Sequence, residues 1–191
     1  MSSTNRSDSR NSHISDYYIT PINVIKEFLN KFIEIEGKYV FKTILDPCAG
    51  GDQTHPMSYP AALEAFGIKG NIDTIDIRED SLAQLKADYL QLDIPSEAYN
   101  VIITNPPFSC ALEIIEKALH DVSKDGYVIM LLRLNFLGSK KRKPFWDANP
   151  PKYVFVHSKR ISFFGNTTDS IEYAHFVWQK NNKNPTQLFI I

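Results

Sequence analysis

Val101-Ile102-Ile103-Thr104-Asn105-Pro106-Pro107-Phe108 decides the reading of this chain. The run Tyr99 to Thr104 is apolar and β-branched, the pattern of a strand covered on both faces. Two prolines then stop it, because each fixes φ and lacks an N–H. A strand ending in Asn-Pro-Pro-aromatic aims the Asn105 side-chain oxygen and the Pro106 carbonyl at one point, where two acceptors converge on a single amino group. Phe108 offers a flat apolar surface for the ring that carries that amine, since stacking a base on an aromatic side chain is worth roughly 1–3 kcal/mol. The plainer alternative is a proline-rich turn before a helix starting near Ser109.

Working outward, apolar and helical segments alternate. Residues 22–33 carry apolar side chains at helical spacing, with Thr20 placed as N-cap and Pro21 at the first helical position. Thr43 to Asp46 reads as a strand, residues 61–66 as a helix ending at Gly67, and Ile72 to Ile77 as a strand. Ser81 to Ala87 reads as a helix, Tyr89 to Leu92 as a short strand, Ala111 to Val122 as an amphipathic helix, and Tyr127 to Leu134 as a strand. Such alternation implies an α/β fold, a mostly parallel Rossmann-like sheet with helices on both faces. The last third breaks the pattern, with strands at Tyr153 to His157 and Tyr173 to Gln179 that fit an antiparallel hairpin at a sheet edge. Residues 1–16 form a polar leader expected to be disordered, and residues 17–191 a single domain without a separate recognition domain.

A formal net charge of −1 gives no global preference for polyanions, so any nucleic-acid contact has to be a local patch. Two cysteines, Cys48 and Cys110, argue against a disulfide framework and for a reducing, cytoplasmic setting; no Cys/His spacing resembles a metal site. No run is apolar enough to span a bilayer, and no membrane partner is expected.

In an open parallel sheet, ligands sit at the carboxyl ends of the strands near the topological switch point. The first strand ends there in Asp46-Pro47-Cys48-Ala49-Gly50-Gly51-Asp52. Glycines admit a close ligand, and carboxylates suit the ammonium of an amino acid better than a phosphate, which favours S-adenosylmethionine over a dinucleotide. A bland glycine turn is the other reading. About 30 residues later Asp76 is placed to accept both ribose hydroxyls, with Asp73 in competition. Asp88 is a candidate acceptor for the cofactor's adenine amine beside Tyr89, or else a turn aspartate. Cys110 reads as a small packing residue, and His157 and His175 as satisfied structural histidines.

These motifs, in this order, resemble the class I S-adenosylmethionine-dependent methyltransferases, specifically the N6-adenine DNA methyltransferase group, and most of all its small phage-type members. The resemblance runs from about Tyr18 to Trp178 and rests on Asp46-Pro47-Cys48-Ala49-Gly50-Gly51, Asp76, Asp88-Tyr89 and Asn105-Pro106-Pro107-Phe108. It implies that Tyr18 and Thr20 fold over the cofactor, Thr20 touching its carboxylate. It also implies methyl transfer to the N6 amine of adenine in DNA, with adenine in RNA or the N4 amine of cytosine as alternatives, and in host cytoplasm if phage-encoded. A different class would be a non-catalytic adapter that keeps the fold. Enzymes that methylate protein glutamine with a similar tetrapeptide resemble a longer architecture.

A duplex target has to be flipped out, which calls for cations and aromatics on the rim. Lys140-Lys141-Arg142-Lys143-Pro144-Phe145-Trp146 offers both, for phosphate contact with stacking, or is simply a solvated loop. Residues 159–170, with Arg160 and the pair Phe163-Phe164, form a second candidate loop.

Overall fold

The structure, a computed structural model, describes residues 18–68, 70–163 and 170–191. The polar leader and half of the second candidate loop, residues 164–169 including Phe164, lie outside the described residues.

Helix α1 (Ile22–Glu36) packs against α2 (Ser58–Ala65), while α3 (Ala111–Asp121) lies on the other face of the sheet. The strands are β1 (Thr43–Asp46), β2 (Asn71–Asp76), β3 (Leu85–Lys86), β4 (Tyr99–Thr104), β5 (Val122–Arg133), β6 (Tyr153–Val156), β7 (Tyr173–Gln179) and β8 (Gln187–Ile190). Their order across the sheet is β3-β2-β1-β4-β5-β7-β6-β8, all parallel except β7.

The central strands carry unbroken apolar runs, Val101 to Ile103 in β4 and Tyr127 to Leu132 in β5, because both faces are covered there. Leu45, Ile102, Val128 and Met130 point to the α3 side, and Ile44, Val101, Ile103 and Ile129 to the α1–α2 side. Successive residues thus serve opposite layers.

Several expectations are corrected. Helix α1 begins one residue later, with Pro21 rather than Thr20 at the N-cap and no side-chain cap; the Thr20 hydroxyl is used elsewhere, as an acceptor for Asn105. Ser81 to Ala87 is not a helix. Gln84 exchanges hydrogen bonds with the Thr74 backbone and hydroxyl, and Ala87 N–H bonds the Asp76 carbonyl, so this segment adds edge strand β3 instead. Tyr89 to Leu92 is not a strand: Tyr89–Gln91 is a turn of 3₁₀ helix capped by Asp88, whose Oδ1 accepts from Leu90 N at 3.0 Å. The β6–β7 pair is antiparallel as expected, but β7 inserts between β5 and β6, and β8 forms the edge.

Short helix α4 (Lys143–Ala148) also alters one expected surface. Phe145 is buried, and Trp146 packs with Phe136, Phe145, Phe176 and Trp178, so these rings build the core instead of standing free to stack on a base. No helix among the described residues is long and apolar enough to cross a membrane.

Candidate active site

The sheet reverses direction of winding between β1 and β4, and a cavity of about 610 Å³ opens at the carboxyl ends of these strands and β2. Its walls include Tyr18, Thr20, Cys48, Ala49, Gly50, Asp76, Asp88, Tyr89, Asn105, Pro106 and Pro107. The volume lies within the usual range for cofactor sites.

The loop after β1 is pinned from below and from the side. Ala49 N–H bonds the Ile75 carbonyl at 2.9 Å, and Gly50 N–H bonds Asp76 Oδ2 at 2.7 Å. Gly50 and Gly51 have φ of 62° and 74°, and a Cβ on Gly51 would lie 2.8 Å from Met57 Cγ and 3.1 Å from Met57 N. Glycine is therefore required at Gly51 for both conformation and space. The other Asp76 oxygen accepts from Arg78 N at 2.8 Å, so the carboxylate is fixed in orientation with lone pairs left toward the cavity. Its competitor Asp73 is engaged by the Tyr99 hydroxyl at 2.8 Å and does not line the cavity.

Asp46 sits beneath the loop and not on the cavity wall. Its Oδ1 accepts from Cys48 N at 3.3 Å, while Oδ2 is buried without a hydrogen-bond partner. Burial pushes the Asp46 carboxyl up to about 7; the nearby Thr104 hydroxyl and the Cys48 N–H pull the other way, and the Asp76 charge adds to the rise. The Thr104 hydroxyl lies close to this carboxyl but outside hydrogen-bonding geometry. Tyr89 lies against the cavity with its hydroxyl donated to Asp121 Oδ2 at 2.8 Å, which fixes the ring.

At the end of β4, Asn105 Nδ2 donates to Thr20 Oγ1 at 3.0 Å. That leaves Asn105 Oδ1 buried with no partner, on the cavity wall. The Pro106 carbonyl takes no hydrogen bond from any described residue, whereas the Pro107 carbonyl accepts from Cys110 N at 3.2 Å and from Cys110 Sγ at 3.8 Å. Burial raises the Cys110 thiol, and burial with the neighbouring carboxylates raises Cys48, which suits packing roles and not nucleophiles.

Phe108 stands just past the cavity wall, with the Arg133 guanidinium carbon 4.4 Å from its ring centroid and Tyr18 and Tyr173 beside it. The rim residues divide. Arg142 is held over Phe136 and on the Phe136 carbonyl, Lys143 pairs with Asp147 at 2.6 Å, and Arg160 lies 3.5 Å from Glu172. Lys140 and Lys141 are exposed and form no ion pair among the described residues. Sequence reasoning missed Ser58, Tyr59, Ile77, Arg78 and Glu113, which also line the cavity. Ile77 and Arg78 follow Asp76 directly and so were within reach; Tyr59, brought in by α2, carries no local signal.

No protein-family model and no curated protein matches this chain. Solved structures do. A Listeria monocytogenes protein assigned to the class I S-adenosylmethionine-dependent methyltransferases matches 92% of this chain and 65% of its own, with a TM-score of 0.64 at 15% identity. A Vibrio vulnificus protein assigned as the modification subunit of a type I restriction enzyme matches 93% of this chain and 47% of its own, with a TM-score of 0.62 at 14% identity. A Lactococcus lactis protein assigned as a hemolysin matches 98% of this chain and 95% of its own, with a TM-score of 0.55 at 13% identity. The chain thus spans about two thirds and half of the first two. The likeness establishes the fold, that of the class I methyltransferases.

Proposed function

We propose that this chain transfers a methyl group from S-adenosylmethionine to the N6 amine of adenine in DNA. The observation that carries this reading is the pair of idle acceptors after β4, the buried Asn105 Oδ1 and the Pro106 carbonyl. A buried polar atom without a partner costs roughly 1–3 kcal/mol, a cost retained where a ligand will satisfy it. An aromatic amine is a poor nucleophile because its lone pair is delocalised into the ring. Two N–H bonds to fixed acceptors localise that pair, and the Thr20 contact keeps Asn105 turned for the task.

The bound cofactor supplies an electrophilic sulfonium methyl group. With that group bound, Asn105 and the Pro106 carbonyl would hold the amine for in-line attack on the methyl, the N–C bond forming as the S–C bond breaks to leave a neutral thioether, and the surplus N–H proton would pass to solvent. Asp76 suits the ribose hydroxyls, Asp88 and Tyr89 the adenine, and Gly50 and Gly51 admit the chain between ribose and amino acid. Catalysis on this reading is positioning and preorganised dipoles.

DNA is favoured as acceptor by analogy of fold with a protein assigned as a restriction-modification subunit. Lys140 and Lys141 are the principal proposed phosphate contacts, with Arg142, Lys143 and Arg160, each engaged by the protein itself, contributing less. The flipped base would stack on Phe108, displacing the Arg133 guanidinium that covers it.

The test is transfer from radiolabelled S-adenosylmethionine to unmethylated duplex DNA, total RNA and a protein extract in parallel, followed by nucleoside analysis. Label as N6-methyladenine in DNA is the expected result. Label only in RNA, or as N4-methylcytosine, keeps the amine chemistry and changes the acceptor; no label with cofactor bound makes the chain a non-catalytic adapter.

A further inference from the structure

A row of buried polar side chains runs from the cavity to the surface through the α1–α2 layer. The Tyr59 hydroxyl lies 3.0 Å from His175 Nε2, and His175 Nδ1 lies 2.8 Å from His157 Nε2. Beyond it, Glu27 Oε2 on α1 is 3.8 Å from His157 Nδ1, the distance of an electrostatic contact and not of a direct hydrogen bond. His175 is fully buried and His157 nearly so, whereas the Glu27 side chain is 45% exposed. Phe28 stacks on the His175 ring at 4.1 Å with planes 13° apart, which locks its orientation. Tyr59 itself lines the cavity.

The protons in this row are correlated. Burial holds both histidines neutral, pushing His157 down to about 4 and His175 well below its ordinary value. Each neutral ring has one N–H and one lone pair, and the 2.8 Å contact between them holds one proton. Two arrangements exist. In one, His157 turns its Nδ1–H toward Glu27, His175 Nδ1–H donates to His157, and Tyr59 O–H donates to His175. In the other every bond reverses, and the His157 lone pair faces the Glu27 carboxylate. Like polarity at 3.8 Å disfavours the second while Glu27 is ionised. In the first, the Tyr59 hydroxyl proton is committed inward and its oxygen presents lone pairs to the cavity.

We propose that Tyr59 is an acceptor of the cofactor site, held in that polarity by His175, His157 and the surface carboxylate of Glu27, and that it receives the ammonium group of the cofactor's amino acid. This rests on the cofactor reading above. A cation is favoured because three acidic side chains, Asp76, Asp88 and Glu113, line the same cavity as Tyr59. Thr20 and Gly50 line it too, and the one cationic side chain in its lining, Arg78, is paired with Asp80 at 2.8 Å. The surface glutamate would thus act on the ligand only by orienting buried protons, which makes it a positioning residue.

The experiment has two readouts. Nitrogen-15 NMR of labelled histidine in the ligand-free protein reports which nitrogen of His175 carries the proton: Nδ1 in the wild type, with a measurable shift of population toward Nε2 in Glu27→Gln, whose neutral amide can donate to His157 as well as accept. Titration with S-adenosylmethionine and with 5′-deoxy-5′-methylthioadenosine, which lacks the amino acid, reports what that polarity does. Tyr59→Phe is expected to weaken the first ligand about tenfold and leave the second unchanged, with Glu27→Gln following in the same direction. A wild-type proton on His175 Nε2 overturns the proposal, as does equal loss of both ligands. If the wild type binds neither ligand, the cofactor reading and the assignment of the ammonium fall together, while the tautomer result still stands by itself.

Discussion

Two carboxylates at opposite ends of the same sheet are treated in opposite ways. Glu36, at the end of α1, lies by the amino ends of β5 and β6, where Tyr127 donates to Oε2 and Tyr153 to Oε1, each at 2.6 Å, and Lys152 pairs with Oε1. Burial pushes its carboxyl up, but hydrogen bonds from Lys152, Tyr127 and Tyr153 outweigh that and hold it below the ordinary range. Asp46, at the carboxyl end of β1, is buried with one oxygen idle and its carboxyl pushed up to about 7. Asn105 Oδ1 and Thr104 Oγ1 are idle at the same end. One end is closed and satisfied; the other retains unspent bonding capacity. Of these three atoms only Asn105 Oδ1 lies on the cavity wall, so it is the one that the proposed ligand would satisfy, while Asp46 and Thr104 lie beneath.

The largest expected effect breaks the satisfied end. Glu36→Ala leaves a Lys152 ammonium that is 13% exposed with no counter-charge and only the Gln179 amide oxygen at 2.8 Å, together with two unpaired tyrosine hydroxyls, and a loss of about 3 kcal/mol is expected by denaturant unfolding. Cofactor affinity of the folded variant should not change. A loss below about 0.5 kcal/mol would mean this end is not the anchored one.

Asp46→Asn sharpens the comparison through pH. The folded carboxyl titrates near 7 against 3.8 when unfolded, so the native state holds more protons between those values. Stability then falls as pH rises from about 4 through about 7, by up to ~1.4 kcal/mol per pH unit from this group. In Asp46→Asn that component disappears and the variant is the more stable protein at neutral pH. Unfolding midpoints measured across this window with an unchanged slope would contradict the assignment.

The smallest effect concerns the rim. Lys140→Ala with Lys141→Ala removes the two cations of that segment that form neither an ion pair nor a hydrogen bond among the described residues, and the logarithmic salt dependence of DNA binding should become shallower by about 2. Replacing Arg142 as well should act mainly on stability, since its guanidinium is bonded to the Phe136 and Asn135 carbonyls. An unaltered slope would leave Lys140 and Lys141 merely solvated.

How much of this was legible in the sequence differs between local and non-local features. β4 and β7 matched their expected bounds residue for residue, because a strand covered on both faces writes an apolar run that turn residues delimit. That Gly50, Asp76, Asp88 and Asn105 would share one cavity was legible because each lies at, or within four residues of, the carboxyl end of a strand. β3 was not, since two residues of edge strand have no period and exist only through Gln84 and Thr74. Phe145 and Trp146 misled for a related reason: aromatics beside lysines look like a binding surface until α4 turns them inward. Asp46, expected at the cofactor, lies beneath the cavity and not in its wall, and nothing in its sequence neighbours says so. Tyr59 and Glu27 are joined only by tertiary contacts through two strands 18 residues apart.

The measurement that bears most directly on the idle acceptors is a paired one on wild type and Asn105→Ala: the S-adenosylmethionine dissociation constant by calorimetry, and N6-methyladenine formed in unmethylated DNA by nucleoside mass spectrometry. Near-equal dissociation constants with methylation lowered at least about 100-fold in the variant are expected, because the lost acceptor serves the amine and not the cofactor. An Asn105→Ala protein that methylates at the wild-type rate would contradict the account, whatever else the cavity binds.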